Sequence, residues 1–101
     1  MAFKNYTVST AAADTEAAIF TAPEGGAFIL SVRVYAPTAD CSVELIHKNA
    51  AGTVIFNPKL SLTQYQQFID DTKDAFNAGE SLAVKSSAAG AQIRVSVMES
   101  V

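Results

Sequence analysis

Polar and apolar residues alternate along most of this chain, in short runs separated by turn-forming residues. In Ser81–Lys85, Leu82 and Val84 share one face, and Ala83 and Lys85 share the other. In Gln92–Glu99, Ile93, Val95 and Val97 oppose Arg94, Ser96 and Met98. Side chains alternate faces along a strand, so both segments read as half-buried strands. The small-residue turn Ser87-Ala88-Ala89-Gly90 between them predicts a hairpin. Ala27–Tyr35 is the longest run; Phe28, Leu30, Val32 and Val34 form its apolar face. Its other face, Ile29, Ser31, Arg33 and Tyr35, is mixed and is expected to be wetter. Cys41–Lys48 sets Cys41, Val43, Leu45 and His47 against Ser42, Glu44, Ile46 and Lys48.

Shorter strands are predicted at Ala17–Thr21, at Thr53–Phe56 and near Tyr6-Thr7-Val8. Thr63–Asp70 is less regular and reads as a strand or a helical turn. Turn signals recur at Pro23-Glu24-Gly25-Gly26, Pro37-Thr38-Ala39-Asp40, Asn49-Ala50-Ala51-Gly52, Asn57-Pro58 and Asn77-Ala78-Gly79. The stretch Asp70–Ala78, with Asp70, Asp71, Lys73 and Asp74, reads as the longest solvated loop. Roughly eight closely spaced strands without helical periodicity predict an all-β, single-domain antiparallel β-sandwich of jelly-roll or Greek-key type. Strand order is left open by this pattern. Residues 1–16 are expected to form an N-terminal arm or edge strand, and residues 17–101 the sandwich.

Composition narrows the function. The 101 residues suit one domain with one core. The net charge is −3, and the seven basic residues are scattered, which argues against binding nucleic acid through clustered phosphate contacts. No apolar run approaches the roughly 20 residues of a membrane-spanning helix, and Met1–Tyr6 carries no signal-peptide pattern. Only 17% of the residues are charged, against the usual figure of about 25%, so the surface is expected either to be polar through Ser, Thr, Asn and Gln or to be partly buried in partners. A single cysteine, Cys41, allows no internal disulfide and fits a chain made in a reducing cytoplasm.

The candidate chemistry is thin. Cys41 and His47 share a strand face, but six strand steps separate them by about 20 Å, too far for a thiol and its base. One cysteine and one histidine do not make a transition-metal site. Asp70, Asp71 and Asp74 invite a calcium reading but lack the EF-hand spacing, and a solvated acidic loop is the simpler interpretation. Gly25-Gly26 forms a turn without a following helix, so no phosphate-binding loop is expected. No catalytic residue, metal ligand or cofactor is assigned, and the protein is expected not to be an enzyme. Tyr6, Tyr35 and Tyr65, with Phe3, are the aromatics to consider for a sugar-stacking or partner-facing patch, against the simpler reading of a core edge with the hydroxyl in water.

The run Ile19-Phe20-Thr21-Ala22-Pro23-Glu24-Gly25-Gly26, the long strand from Phe28 to Tyr35, the segment Asn77–Ala89 and the terminal Val97-Met98-Glu99-Ser100 together resemble a family of small tailed-bacteriophage virion proteins. That family shows a T-x-P-x-G turn before a long strand and an x-x-A-G-[DE]-x-[IL]-x-V-x-[AS]-S segment near the C-terminus. Ala22-Pro23 departs from its commoner valine-proline, and Tyr35-Ala36-Pro37 lacks its usual turn asparagine. The resemblance implies a capsid decoration, or cement, protein that binds across capsomer junctions as a homo-oligomer. Its partners would be the major capsid protein or other virion proteins, and its location the virion after synthesis in the host cytoplasm. A tail, neck or fibre-associated module binding host carbohydrate is the alternative. The candidate partner contacts are Phe3 and Tyr6 on the N-terminal arm, and Ile29 and Tyr35 on the wetter face of the long strand.

Overall fold

The computed structural model describes residues 2–71 and 73–100. Met1, Thr72 and Val101, which fall within the two expected segments, lie outside the described residues. Ten strands form two five-stranded antiparallel sheets: β1 (Ala2–Ser9), β2 (Ala17–Thr21), β3 (Ala27–Tyr35), β4 (Cys41–Lys48), β5 (Val54–Phe56), β6 (Lys59–Leu62), β7 (Gln67–Asp70), β8 (Asp74–Phe76), β9 (Ser81–Ser86) and β10 (Gln92–Glu99). The first sheet runs β1-β10-β3-β7, with β8 also on β3; the second runs β2-β9-β4-β5, with β6 also on β4.

Because β5 and β6 both pair with β4, they are two halves of one broken strand, and β7 and β8 are likewise two halves along β3. Counted this way there are eight strands, in the order of a jelly roll. The first break falls at Asn57-Pro58, where proline has no N–H to give the ladder; its carbonyl accepts instead from the Leu45 amide at 3.0 Å. The second falls between Asp70, where β7 ends, and Asp74, where β8 begins. There the Lys73 ammonium donates to the carbonyls of Leu30 and Asp71, each at 3.1 Å.

The expected hairpin between the last two strands is not formed. β9 lies in the second sheet between β2 and β4, whereas β10 lies in the first between β1 and β3. The small-residue turn crosses from one sheet to the other and is tied to other links. Ser87 donates its amide to Ser42, and Gly90 donates to Thr10. Among the described residues, the one hairpin between consecutive strands is β4–β5, closed by Gly52 at φ 87° with its amide on the Asn49 carbonyl. The Asp70–Ala78 stretch is also shorter as a loop than expected, since β8 occupies Asp74–Phe76 and buries Phe76. Of Thr63–Asp70, only Gln67–Asp70 is strand, and the sequence pattern missed β6 altogether.

The core is built from the inward faces of both sheets. Ile93, Val95 and Val97 of β10, Val34 of β3, Val43 of β4 and Val84 of β9 are almost wholly buried. Burying each such side chain contributes roughly 1.5–3 kcal/mol before entropy is counted.

β3 departs from simple alternation. Val97 pairs with Ile29 and Ser96 with Ser31, so Leu30 is an extra residue, a β-bulge. The bulge shifts the pleat by one position. Ala27 and Ile29 face the core before it, and Val32 and Val34 face the core after it. Phe28 is therefore turned outward, and Ile29, expected on the wetter face, is only 4% exposed. A similar shift between Ala18 and Phe20 in β2 lets the neighbours Ile19 and Phe20 both be buried.

Candidate functional site

Of the expected contact residues, two point inward. Ile29 is a core residue, which corrects its assignment to a partner face. Tyr6 stacks on Phe20, with ring centroids 5.3 Å apart and planes 20° from parallel. Its hydroxyl donates to Glu99, whose carboxylate also meets Lys4 at 3.1 Å. Burial, and then the hydrogen bond to Glu99, push the Tyr6 phenol up to about 12. Tyr6 thus fastens β1 to the sandwich as the edge strand of the first sheet.

Phe3 and Tyr35 lie on the outer face of the first sheet, in different rows. The registers place Phe3, Met98, Phe28 and Ala75 side by side across four strands. Phe3 is 73% exposed and Phe28 47% exposed. Apolar side chains in cross-strand register form a continuous strip, here at one end of the sheet. The next row is polar, Asn5, Ser96 and Ser31, with the Ser96 hydroxyl donating to Asn5 at 2.7 Å. The third row is Thr7, Arg94, Arg33 and Ile69; the fourth is Ser9, Gln92, Tyr35 and Gln67. Thr7, Arg33, Arg94, Tyr35, Gln67 and Gln92 of these two rows, with Tyr65, line a shallow open depression of about 550 Å³. A second apolar surface lies on β5, where Val54, Ile55 and Phe56 are all exposed.

Neither of the two candidate chemical groupings comes together. Cys41 and His47 are both buried on β4, at its opposite ends. Rather than an ordinary strand-end residue, His47 is a packed one. Its ring stacks on Phe76 at 3.7 Å, and its Nε2 donates to Glu80 at 2.9 Å. That hydrogen bond is the chief reason the Glu80 carboxyl is held below the usual carboxylate range; the Asn77 amide adds to it, and burial opposes it. Asp70, Asp71 and Asp74 are spread over the end of β7, the break and the start of β8. Among the described residues, no three His, Cys, Asp or Glu side chains converge as a metal site.

The outer face of the second sheet handles charge differently from the first. Glu44 stands directly opposite both Lys59 and Lys85 in the strand registers, with N–O distances of 3.3 and 3.7 Å. The Lys59 contact leads in holding the Glu44 carboxyl below its ordinary value.

No family model and no curated protein sequence matches the chain. Among solved structures it is similar to a chain from Bacillus endospore appendages, described as a novel family of disulfide-linked pili. The TM-score is 0.62 at 11% identity, covering 99% of this chain and 88% of that one. It is also similar to a chain of the T13 viral particle of infectious bursal disease virus (IBDV), with a TM-score of 0.53 at 7% identity. That match covers 96% of this chain but 31% of the viral one, so this chain corresponds to about a third of its length. At these identities the likeness is one of fold: this is an antiparallel β-sandwich of a kind also found in building blocks of a pilus and of a viral particle.

Proposed function

We propose that this protein is a non-enzymatic structural component of a bacteriophage virion, a decoration or cement protein that binds across capsomer junctions as an oligomer. The observation that carries this reading is the in-register apolar strip Phe3–Met98–Phe28–Ala75 on the outer face of the first sheet. A sandwich whose core is already filled by its inward faces gains nothing from exposed phenylalanines on an outer face, so a covering partner accounts for them. Covering apolar surface contributes about 25 cal/mol per Å² gross, before the costs of association. The β1 edge beside Phe3 offers unpaired backbone groups to the same neighbour. The resemblance to small phage virion proteins, and a fold shared with a viral-particle chain, support the same reading.

A disulfide-linked polymer is not supported. Cys41 is the single cysteine and is buried, and one thiol joins two copies at most.

The test combines light scattering with co-sedimentation on phage capsids assembled without this protein. We expect an oligomer that binds the capsids and raises their resistance to heat. Phe28→Asp should weaken binding about tenfold or more, because it places a charge in a desolvated contact. Its thermal midpoint should stay within a few degrees of wild type, since Phe28 lies outside the core. A monomer that ignores capsids, or a Phe28→Asp variant that binds as well as wild type, sinks this reading.

A further inference from the structure

We infer that the depression at the far end of the first sheet binds an acidic saccharide, its carboxylate or sulfate groups held between Arg33 and Arg94. This goes beyond the structural role proposed above and stands on separate residues.

The first observation concerns charge. Of the seven basic side chains, Lys4, Lys48, Lys59 and Lys85 each meet a carboxylate, and Lys73 is spent on two backbone carbonyls. Arg33 and Arg94 are the two left without an ion pair among the described residues, and the strand register sets them directly opposite each other. Like charges directly opposed across a ladder are unfavourable. The second sheet avoids this by placing Glu44 opposite Lys59 and Lys85. The first sheet surrounds its two guanidiniums with Thr7, Ile69, Gln92, Tyr35 and Gln67, none of them acidic.

The second observation concerns backbone strain at the same place. Tyr65 has φ of 68°, a left-handed conformation that a bulky aromatic residue rarely adopts. It occupies the third position of a turn closed by the Gln66 amide on the Thr63 carbonyl at 3.0 Å, where glycine is the favoured residue. The surroundings hold the turn in place. The Tyr65 amide donates to Ala36 at 2.6 Å, the Gln64 amide to Asp40 at 2.7 Å, and the Thr63 amide to the Gln66 side chain at 2.9 Å. The ring gains no burial from this, being 69% exposed, and it lines the depression beside the arginines. Two features unfavourable to folding therefore meet at one surface. Backbone strain that the surroundings over-determine tends to mark functional sites.

The lining indicates the class of ligand. Two planar guanidiniums match a carboxylate or sulfate in a forked geometry. Tyr35 and Tyr65 offer flat apolar rings with polar tips, and Gln67, Gln92 and Thr7 can exchange hydrogen bonds with hydroxyl groups. A peptide adding a strand would need unpaired backbone, whereas β3 and β10 are each paired on both sides here. A nucleic acid would need a larger basic tract than two side chains on a chain of net charge −3. An open depression on a sheet face suits a saccharide chain lying across it.

The test is calorimetric titration at low salt with four probes: an oligogalacturonide for carboxylate, a heparin-derived oligosaccharide for sulfate, maltohexaose as a neutral chain, and inorganic phosphate. We expect at least one acidic oligosaccharide to bind and maltohexaose to bind far more weakly. Whichever acidic probe binds identifies the anionic group. Arg33→Gln and Arg94→Gln should each weaken binding about tenfold. Tyr65→Gly should weaken it comparably while raising the thermal midpoint by roughly 4–8 °C, as relief of strain requires. The proposal is overturned if neither acidic oligosaccharide binds, if these variants leave the affinity unchanged, or if phosphate or the neutral chain binds as tightly. Capsid co-sedimentation of the arginine variants reports separately on the assembly role.

Discussion

At the scale of single residues, the groups that titrate show how the sandwich is closed at its edges. Glu80 sits just before β9, reaches back to Asn77 in the preceding turn and accepts from His47 on β4. Its carboxyl is held below its ordinary 4.5 in the folded protein, so folding favours the charged form. The stabilisation is therefore present above about pH 4.5 and is lost as the pH falls through the lower folded value. Glu80→Gln should cost roughly 1.5–3 kcal/mol at pH 7, as expected for hydrogen bonds to a charged group. Urea denaturation should show the gap between variant and wild type closing toward pH 3. An equal gap at both pH values would mean that Glu80 acts through shape alone. The sequence marked His47 as ordinary because no local pattern shows that Phe76 and Glu80, about thirty residues on, will meet it.

At the scale of elements, the Leu30 bulge decides what β3 presents. It turns Ile29 into the core opposite Val97 and turns Phe28 into the outer strip opposite Met98. The same irregularity comes with a second one across the ladder. Lys73, at the break between β7 and β8, donates to the Leu30 carbonyl, so bulge and break satisfy each other. Ile29→Asp should consequently unfold the protein or cost several kcal/mol, because it buries an unpaired carboxylate. Circular dichroism melts of Ile29→Asp and Phe28→Asp side by side make the comparison. A folded Ile29→Asp with a wild-type melt would contradict the register described here. The last strand, by contrast, follows the pattern closely. In β10, strict alternation places Ile93, Val95 and Val97 inside and leaves Gln92 and Arg94 outside.

At the scale of the whole molecule, nearly every pairing joins segments distant in sequence. β1 pairs with β10, β2 with β9, and β3 with β10. A radius of gyration of 13.0 Å matches the value of about 13 Å expected for a compact chain of this length. Such a topology needs costly loop closures before its contacts form, so stopped-flow refolding should run in milliseconds to seconds rather than microseconds. A microsecond phase carrying the full amplitude would mean that local structure, not sheet pairing, limits folding. The strand registers set the apolar strip and the basic depression at different rows of the first sheet, so that one face can serve attachment and ligand binding at once. By strand rise, Phe28 and Arg33 lie on the order of 13 Å apart once the bulge is discounted.

By itself the sequence determined that this is an all-β sandwich, where most strands lie, and which residues of β4, β9 and β10 face inward. Those properties depend on the two-residue period of a strand and on turn chemistry, both local. The tertiary structure decided that β9 and β10 part company into opposite sheets, that a bulge moves Ile29 and Phe28 to opposite faces, and that Arg33 and Arg94 stand side by side without an ion pair among the described residues. Alternation specifies the faces of a strand but not its neighbour. An inserted residue reverses those faces without changing composition, and register is settled only when the sheets close over a common core.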